Sequence, residues 1–125
     1  QGATTIWERW NGYTQENGFE TPSMNSFNHY SLGSCVEWFY SHVLGIKLAP
    51  NKEICILPSL SKELSFAKGE YKTKEGIIRV EWRCSDSKYY VKVKADKNVS
   101  YSYNFAGKEI ITIKKTKNGL CVVLK

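Results

Sequence analysis

Ile77-Ile78-Arg79-Val80-Glu81-Trp82 and, beyond the turn signal Ser85-Asp86-Ser87, Tyr89-Tyr90-Val91-Lys92-Val93-Lys94 place an apolar side chain at every second position. A period of two sends successive side chains to opposite faces, so each segment reads as a half-buried strand. Working outward, residues 53–57, 64–71, 76–84, 88–95, 99–105, 109–115 and 120–124 form about seven such runs, parted by Ala106-Gly107, Lys117-Asn118-Gly119 and similar turn formers. Short strands at this spacing predict a mainly β chain whose C-terminal part is an antiparallel β-sandwich. At roughly 75 residues such a sandwich buries a low fraction of its surface and gains from docking on another element.

Ahead of the strands the period changes. Leu32, Cys35, Val36, Phe39 and Val43 recur at steps of three and four, which predicts one amphipathic helix from about Ser31. Ser34 with Glu37 matches a capping box, and Gly45 with Pro50 supplies the stop. One helix cannot bury its own stripe, so it is expected to pack on the strands or on protein outside this chain. Residues 1–30 read as a loop with a short β-prone run at its start and the turn formers Gly12, Asn17, Gly18 and Pro22. A loop this long in a compact fold is functional or disordered, and its six aromatic residues argue against disorder.

The chain of 125 residues carries 18 Lys+Arg against 12 Asp+Glu, a net charge of +6. Residues 1–49 hold Arg9 and Lys47 against Glu8, Glu16, Glu20 and Glu37, a balance of −2, which leaves +8 for residues 50–125. There the lysines alternate through the strands, the pattern of solvated faces and guarded edges rather than of a phosphate-binding stripe. No nucleic-acid partner is expected, and no apolar run long enough for a membrane is present. Gln1-Gly2-Ala3-Thr4-Thr5 runs directly into an apolar motif, which reads as a cut inside a longer protein. The compartment, whether periplasmic, secreted or cytoplasmic, stays open. Cys35, Cys55, Cys84 and Cys121 form no CxxC pair, so no zinc or redox motif and no cofactor is expected; their apolar neighbours favour buried free thiols over a disulfide, whose formation depends on a spatial distance that sequence does not give.

The chemistry concentrates in Thr4-Thr5-Ile6-Trp7-Glu8-Arg9-Trp10 and Met24-Asn25-Ser26-Phe27-Asn28-His29-Tyr30. Glu8 stands between two indoles, an environment that raises the basicity of a carboxylate and suits it to taking a proton from water. In an extended run, Ile6, Glu8 and Trp10 share one face and Trp7 and Arg9 the other, which makes Trp10 a stacking wall beside Glu8. Asn25, Asn28, His29 and Tyr30 supply neutral donors and acceptors of the kind that hold hydroxyl-rich ligands. The plainer alternatives are a surface Glu8 paired with an arginine, and asparagines spent on turns.

Ala3-Thr4-Thr5-Ile6-Trp7-Glu8-Arg9-Trp10, the run from Met24 to Tyr30, the helix with Gly33 and Glu37-Trp38-Phe39-Tyr40, and Ser65-Phe66-Ala67-Lys68-Gly69 together resemble the C-terminal end of bacterial α-L-rhamnosidases, glycoside hydrolase family 78. The resemblance covers nearly the whole chain. It implies that residues 1–48 are the last loop and helix of an (α/α)6 catalytic barrel and residues 49–125 the C-terminal β-sandwich that packs on it.

The resemblance further implies an inverting hydrolase of terminal α-L-rhamnosyl residues. Glu8 matches the general base, His29 matches a histidine contacting the rhamnose, and Trp7 and Trp10 are carried over as pocket walls. The sequence departs from the family pattern at Asn11, where aspartate is common. The general acid of the family lies upstream of anything here, so the chain alone is expected to be inactive. Its implied partners are a rhamnose-containing glycoside or glycan, the remainder of the barrel and, through an uncovered apolar patch, other copies of itself. A non-catalytic carbohydrate-binding or structural β-sandwich stands as the alternative.

Overall fold

The structure is a computed structural model that describes residues 2–51, 53–105 and 107–125. The chain divides into two compact units, Gln1–Glu37 and Trp38–Lys125, a division that falls inside the helical run.

In the first unit, β1 (Tyr13–Thr14) and β2 (Gly18–Phe19) pair antiparallel as a minimal hairpin. A single 3-10 turn at Pro22–Met24 follows, then α1 (Tyr30–Gly33) and α2 (Cys35–Trp38), the latter running on into a wider turn at Phe39–Val43. The loop is held by edge-to-face aromatic contacts: Tyr13 on Phe19 at 5.0 Å, Phe19 on Phe27 at 5.5 Å and Trp7 on Phe27 at 4.7 Å between ring centroids. Each such pair contributes about 0.5–1.5 kcal/mol beyond burial, which is why a segment with so little regular structure is ordered.

The helical run departs from expectation in two ways. Ser34 does not cap it. The Ser34 hydroxyl donates back to the Ser31 carbonyl at 2.8 Å and its N–H to Tyr30 at 2.7 Å, so Ser34 sits at the junction of α1 and α2. Of the apolar stripe, Leu32, Val36 and Phe39 are about half exposed and only Val43 is buried. The run ends where the Trp82 indole N–H donates to the Val43 carbonyl at 2.7 Å, satisfying one of the orphan acceptors of a helix terminus.

In the second unit come β3 (Ile46–Leu48), β4 (Ile54–Ile56), β5 (Phe66–Lys72), β6 (Ile77–Ser85), β7 (Lys88–Ala95), β8 (Tyr101–Tyr103), β9 (Ile110–Thr116) and β10 (Gly119–Leu124). They make a five-stranded sheet in the order β5-β6-β7-β10-β9 and a three-stranded sheet β3-β4-β8. Each expected strand forms near its expected limits, and β3 forms in addition, just past the helix stop at Gly45. One pair corrects the antiparallel expectation: β4 and β8 run parallel, Ile54 opposite Tyr101 and Ile56 opposite Tyr103. The long connection between them, which builds most of the larger sheet, is what permits parallel pairing.

The inward parity of the larger sheet supplies Ile78, Val80 and Trp82, then Tyr89, Val91 and Val93, then Leu120, Val122 and Leu124, and the smaller sheet adds Ile46, Ile54 and Ile56 to the same core. Trp82 is fully buried; burying a large apolar side chain stabilises by roughly 1.5–3 kcal/mol. Edge strand β9 is exposed along its whole length, so Lys114 and Lys115 do guard an edge there.

The cysteines are free, as expected, but not all buried: Cys35 and Cys121 are exposed and Cys55 and Cys84 half-buried. Cys121 is exposed because Leu120 and Val122 on either side take the inward positions of β10. Among the described residues no helix is long and apolar enough to cross a membrane.

Candidate functional site

The two motifs singled out in the sequence lie side by side within the first unit, joined by backbone. The Glu8 N–H donates to the Ser26 carbonyl at 2.8 Å and the His29 N–H to the Ile6 carbonyl at 2.8 Å, while the Thr5 hydroxyl bonds the Phe27 carbonyl. These ties hold Thr5–Glu8 against Ser26–His29 without a sheet. His29 then opens α1, its carbonyl accepting the Leu32 and Gly33 N–H groups at 3.2 Å. The helix start thereby fixes where the imidazole is mounted.

The Glu8 side chain is three-quarters buried, 26% exposed against 28% for His29. The Ser26 N–H donates to Glu8 Oε2 at 3.0 Å, reciprocating the Glu8 N–H bond to the same residue. His29 Nδ1 stands 3.8 Å from that same Oε2. Among the described residues no hydrogen bond reaches Oε1. One oxygen of Glu8 is therefore anchored and the other is free to engage a water or hydroxyl. Among the described residues the alternative of a Glu8–arginine pair does not form; the partners are a backbone amide and a histidine.

A cleft of about 510 Å³ includes Glu8 in its lining, with Ala3, Thr5, Ile6, Trp7, Arg9, Trp10 and Leu32. The chain is not extended through it: it bends at Glu8 and Arg9 and turns at Trp10, where the Gly12 N–H closes on the Arg9 carbonyl at 3.2 Å. The expected two-faced alternation is thus replaced by a bend that brings both indoles and Glu8 to one cleft. Trp10 is fully exposed at its rim, and Trp7 lines the cleft while packing edge-on against Phe27.

The asparagines part company. Asn25 is turned inward, its Nδ2 donating to the Gly12 carbonyl at 2.7 Å, and its Oδ1 is buried with no partner among the described residues. Position 12 must be glycine for this contact, since a Cβ there would come within 2.5 Å of Asn25 Oδ1. Asn25 thereby steadies the turn that carries Trp10, the turn-forming role weighed in the sequence. Asn28 is exposed and makes no side-chain hydrogen bond among the described residues. Asn11 donates to Glu20 Oε1 at 3.4 Å. Sequence reasoning missed Ser26, whose contribution is a backbone N–H and leaves no mark in residue type, and Leu32, which lies outside both motifs. No group of three or more His, Cys, Asp or Glu side chains is disposed to hold a metal among the described residues.

Comparison with known proteins agrees along the chain. Residues 1–43 match the family model for the bacterial alpha-L-rhamnosidase 6 hairpin glycosidase domain, and residues 49–115 that for the bacterial alpha-L-rhamnosidase C-terminal domain. An alpha-L-rhamnosidase of Alteromonas sp. (strain LOR) is 42% identical over 82% of this chain, and one from Formosa agariphila 37% identical over 80%. This chain spans 11% of the length of each. The crystal structure of the Streptomyces avermitilis alpha-L-rhamnosidase complexed with L-rhamnose shares the fold, with a TM-score of 0.63 at 24% identity over 98% of this chain and 13% of that one. One family model spanning more than half of the residues, together with relatives at this identity, shows that the chain belongs to the bacterial α-L-rhamnosidase family.

Proposed function

We propose that this chain is the C-terminal part of an inverting α-L-rhamnosidase and that Glu8 is its general base. In this reading residues 1–48 complete an (α/α)6 catalytic barrel and residues 49–125 are the sandwich that follows it. Glu8 Oε1 takes a proton from the water that attacks the anomeric carbon of a terminal α-L-rhamnosyl residue, and a carboxylic acid elsewhere in the full-length protein protonates the departing oxygen. Inversion requires those two carboxyl groups about 6.5–9.5 Å apart, so that a water fits between. His29 and Trp10 contact the sugar from either side of Glu8, with Trp7 forming the wall and Asn28 within reach of its hydroxyls. Asn25 acts one step back, through the Trp10 turn.

The observation that supports this reading is the one-sided anchoring of Glu8, with Oε2 held by the Ser26 N–H at 3.0 Å, no hydrogen bond to Oε1 among the described residues, and Glu8 in the lining of an open cleft, in a chain of this family. A base works when its lone pair is aimed and its conformation fixed before the substrate arrives. The 125-residue chain by itself holds one carboxylate of the pair and is expected to show no hydrolysis. The reading is tested by proton NMR of the first rhamnose released from an aryl α-L-rhamnoside by the full-length protein. The β-anomer is expected to appear first; early accumulation of the α-anomer would contradict inversion.

A further inference from the structure

The lysines of residues 50–125 do not all guard edges. Lys92 and Lys94 lie on β7, the middle strand of the larger sheet, paired on both sides by β6 and β10. Register then gathers the charges: Lys68 stands opposite Glu81, Glu81 opposite Lys92, Lys92 opposite Cys121, and Cys121 opposite Lys114. The next row sets Glu70 opposite Arg79 and Arg79 opposite Lys94. All lie on the outward face, since the alternate positions fill the core.

Glu81 stands between Lys68 and Lys92 in register, yet the lysines of this face outnumber the acids left to them. Arg79 takes Glu70 at 3.1 Å and Asp96 at 3.6 Å, and among the described residues Lys68, Lys92 and Lys94 form no ion pair. They border a furrow of about 470 Å³ together with Glu70, Arg79 and Glu81. A second hollow of about 290 Å³ shares Glu81 and Lys92 with it and continues to Tyr90, over whose ring Arg83 sits at 4.7 Å. From Lys94 to Tyr90 the furrow follows four residues of β7, about 14 Å at the rise of a strand, the reach of a short oligosaccharide.

We infer that this outer face of the five-stranded sheet binds a polyanionic polysaccharide, one bearing carboxylate or sulfate groups along its length, at a site separate from the Glu8 cleft. Lysine ammonium groups act as point charges on flexible stems and suit a ligand whose anions are spaced along a chain. Duplex DNA carries one charge per roughly 1.7 Å of axis. Lys92 and Lys94 stand two residues apart, about 7 Å along β7, and Lys68 lies two strands across from Lys92 with Glu81 between them, a spacing that matches that density poorly and one charge per one or two sugar rings better. The choice of a glycan rests on membership of a glycosidase family and not on the role given to Glu8.

The test is a binding titration of the 125-residue chain with polygalacturonate and with dextran sulfate, against uncharged dextran and a duplex oligonucleotide, at low and physiological salt. Binding to at least one polyanionic glycan is expected, weakening as salt rises, with none to dextran. The double variant K92E/K94E should lose about tenfold or more in affinity, while K117E/K125E, an equal charge change away from the furrow, should lose less than about twofold. Both pairs are exposed, and an unchanged melting curve shows that the fold is kept. Absence of binding to both glycans, equal losses in the two variants, or equal affinity for the oligonucleotide would overturn the proposal. None of these outcomes depends on hydrolysis, so they stand apart from the assignment of Glu8.

Discussion

A backbone amide holds Glu8 Oε2, and a backbone donor is not removed by trimming a side chain. Ser26→Ala in the full-length protein should therefore leave turnover within about threefold, while Ser26→Pro, which deletes the N–H, should lower it by roughly 10- to 100-fold, the worth of a hydrogen bond to a charged group. Steady-state rates of the two variants check this; equal losses would remove Ser26 from the account. At this scale the sequence told most where residue chemistry is distinctive. Glu8 and His29 were legible as a carboxylate among indoles and an imidazole among amides, and the structure brings them to 3.8 Å. Asn25 was legible only as one of several donors, because its inward turn depends on the absence of a side chain at Gly12 across the loop.

Turns and strand parity decide the elements. Asp86 and Ser87 join β6 to β7 with φ of 52° and 60°, the two-residue hairpin geometry that matches strand twist but favours Asn-Gly. Asp86→Asn with Ser87→Gly should stabilise the chain by about 1 kcal/mol, read as a raised melting temperature; destabilisation would show that the native side chains contribute something further. Gly45 is a stricter case, with φ at +74° and an added Cβ only 2.1 Å from the Pro58 nitrogen. Gly45→Ala should cost about 2 kcal/mol or more in denaturant unfolding, and a neutral result would contradict the close approach of these two loops.

The strands were legible because a period of two survives without knowledge of the partner strand. The parallel pairing of β4 with β8 was not, since a three-residue strand carries no signal of direction. The helical stripe was legible as a pattern, but which of its residues are covered was not. Leu32 and Val36 remain about half exposed, and their cover is a property of tertiary context that periodicity does not contain.

For the molecule as a whole, the first unit presents Ile6, Phe19, Leu32 and Val36 to solvent beside a fully exposed Trp10. Apolar surface of this kind marks an interaction face, which in the proposed reading belongs against the rest of the catalytic barrel. The isolated chain should then self-associate at tens of micromolar, about the range in which exposed apolar patches drive association, as measured by light scattering coupled to gel filtration. A strictly monomeric chain at this concentration would contradict that reading. The same logic explains what the sequence could not supply: in the proposed reading the site is shared with another part of the protein and is legible here only as its own half, the base. The most direct test is the turnover of full-length Glu8→Gln on an aryl α-L-rhamnoside, with folding verified by its melting curve. A fall of about 10²–10⁴-fold is predicted for a lost general base, and near-normal turnover would contradict the assignment of Glu8.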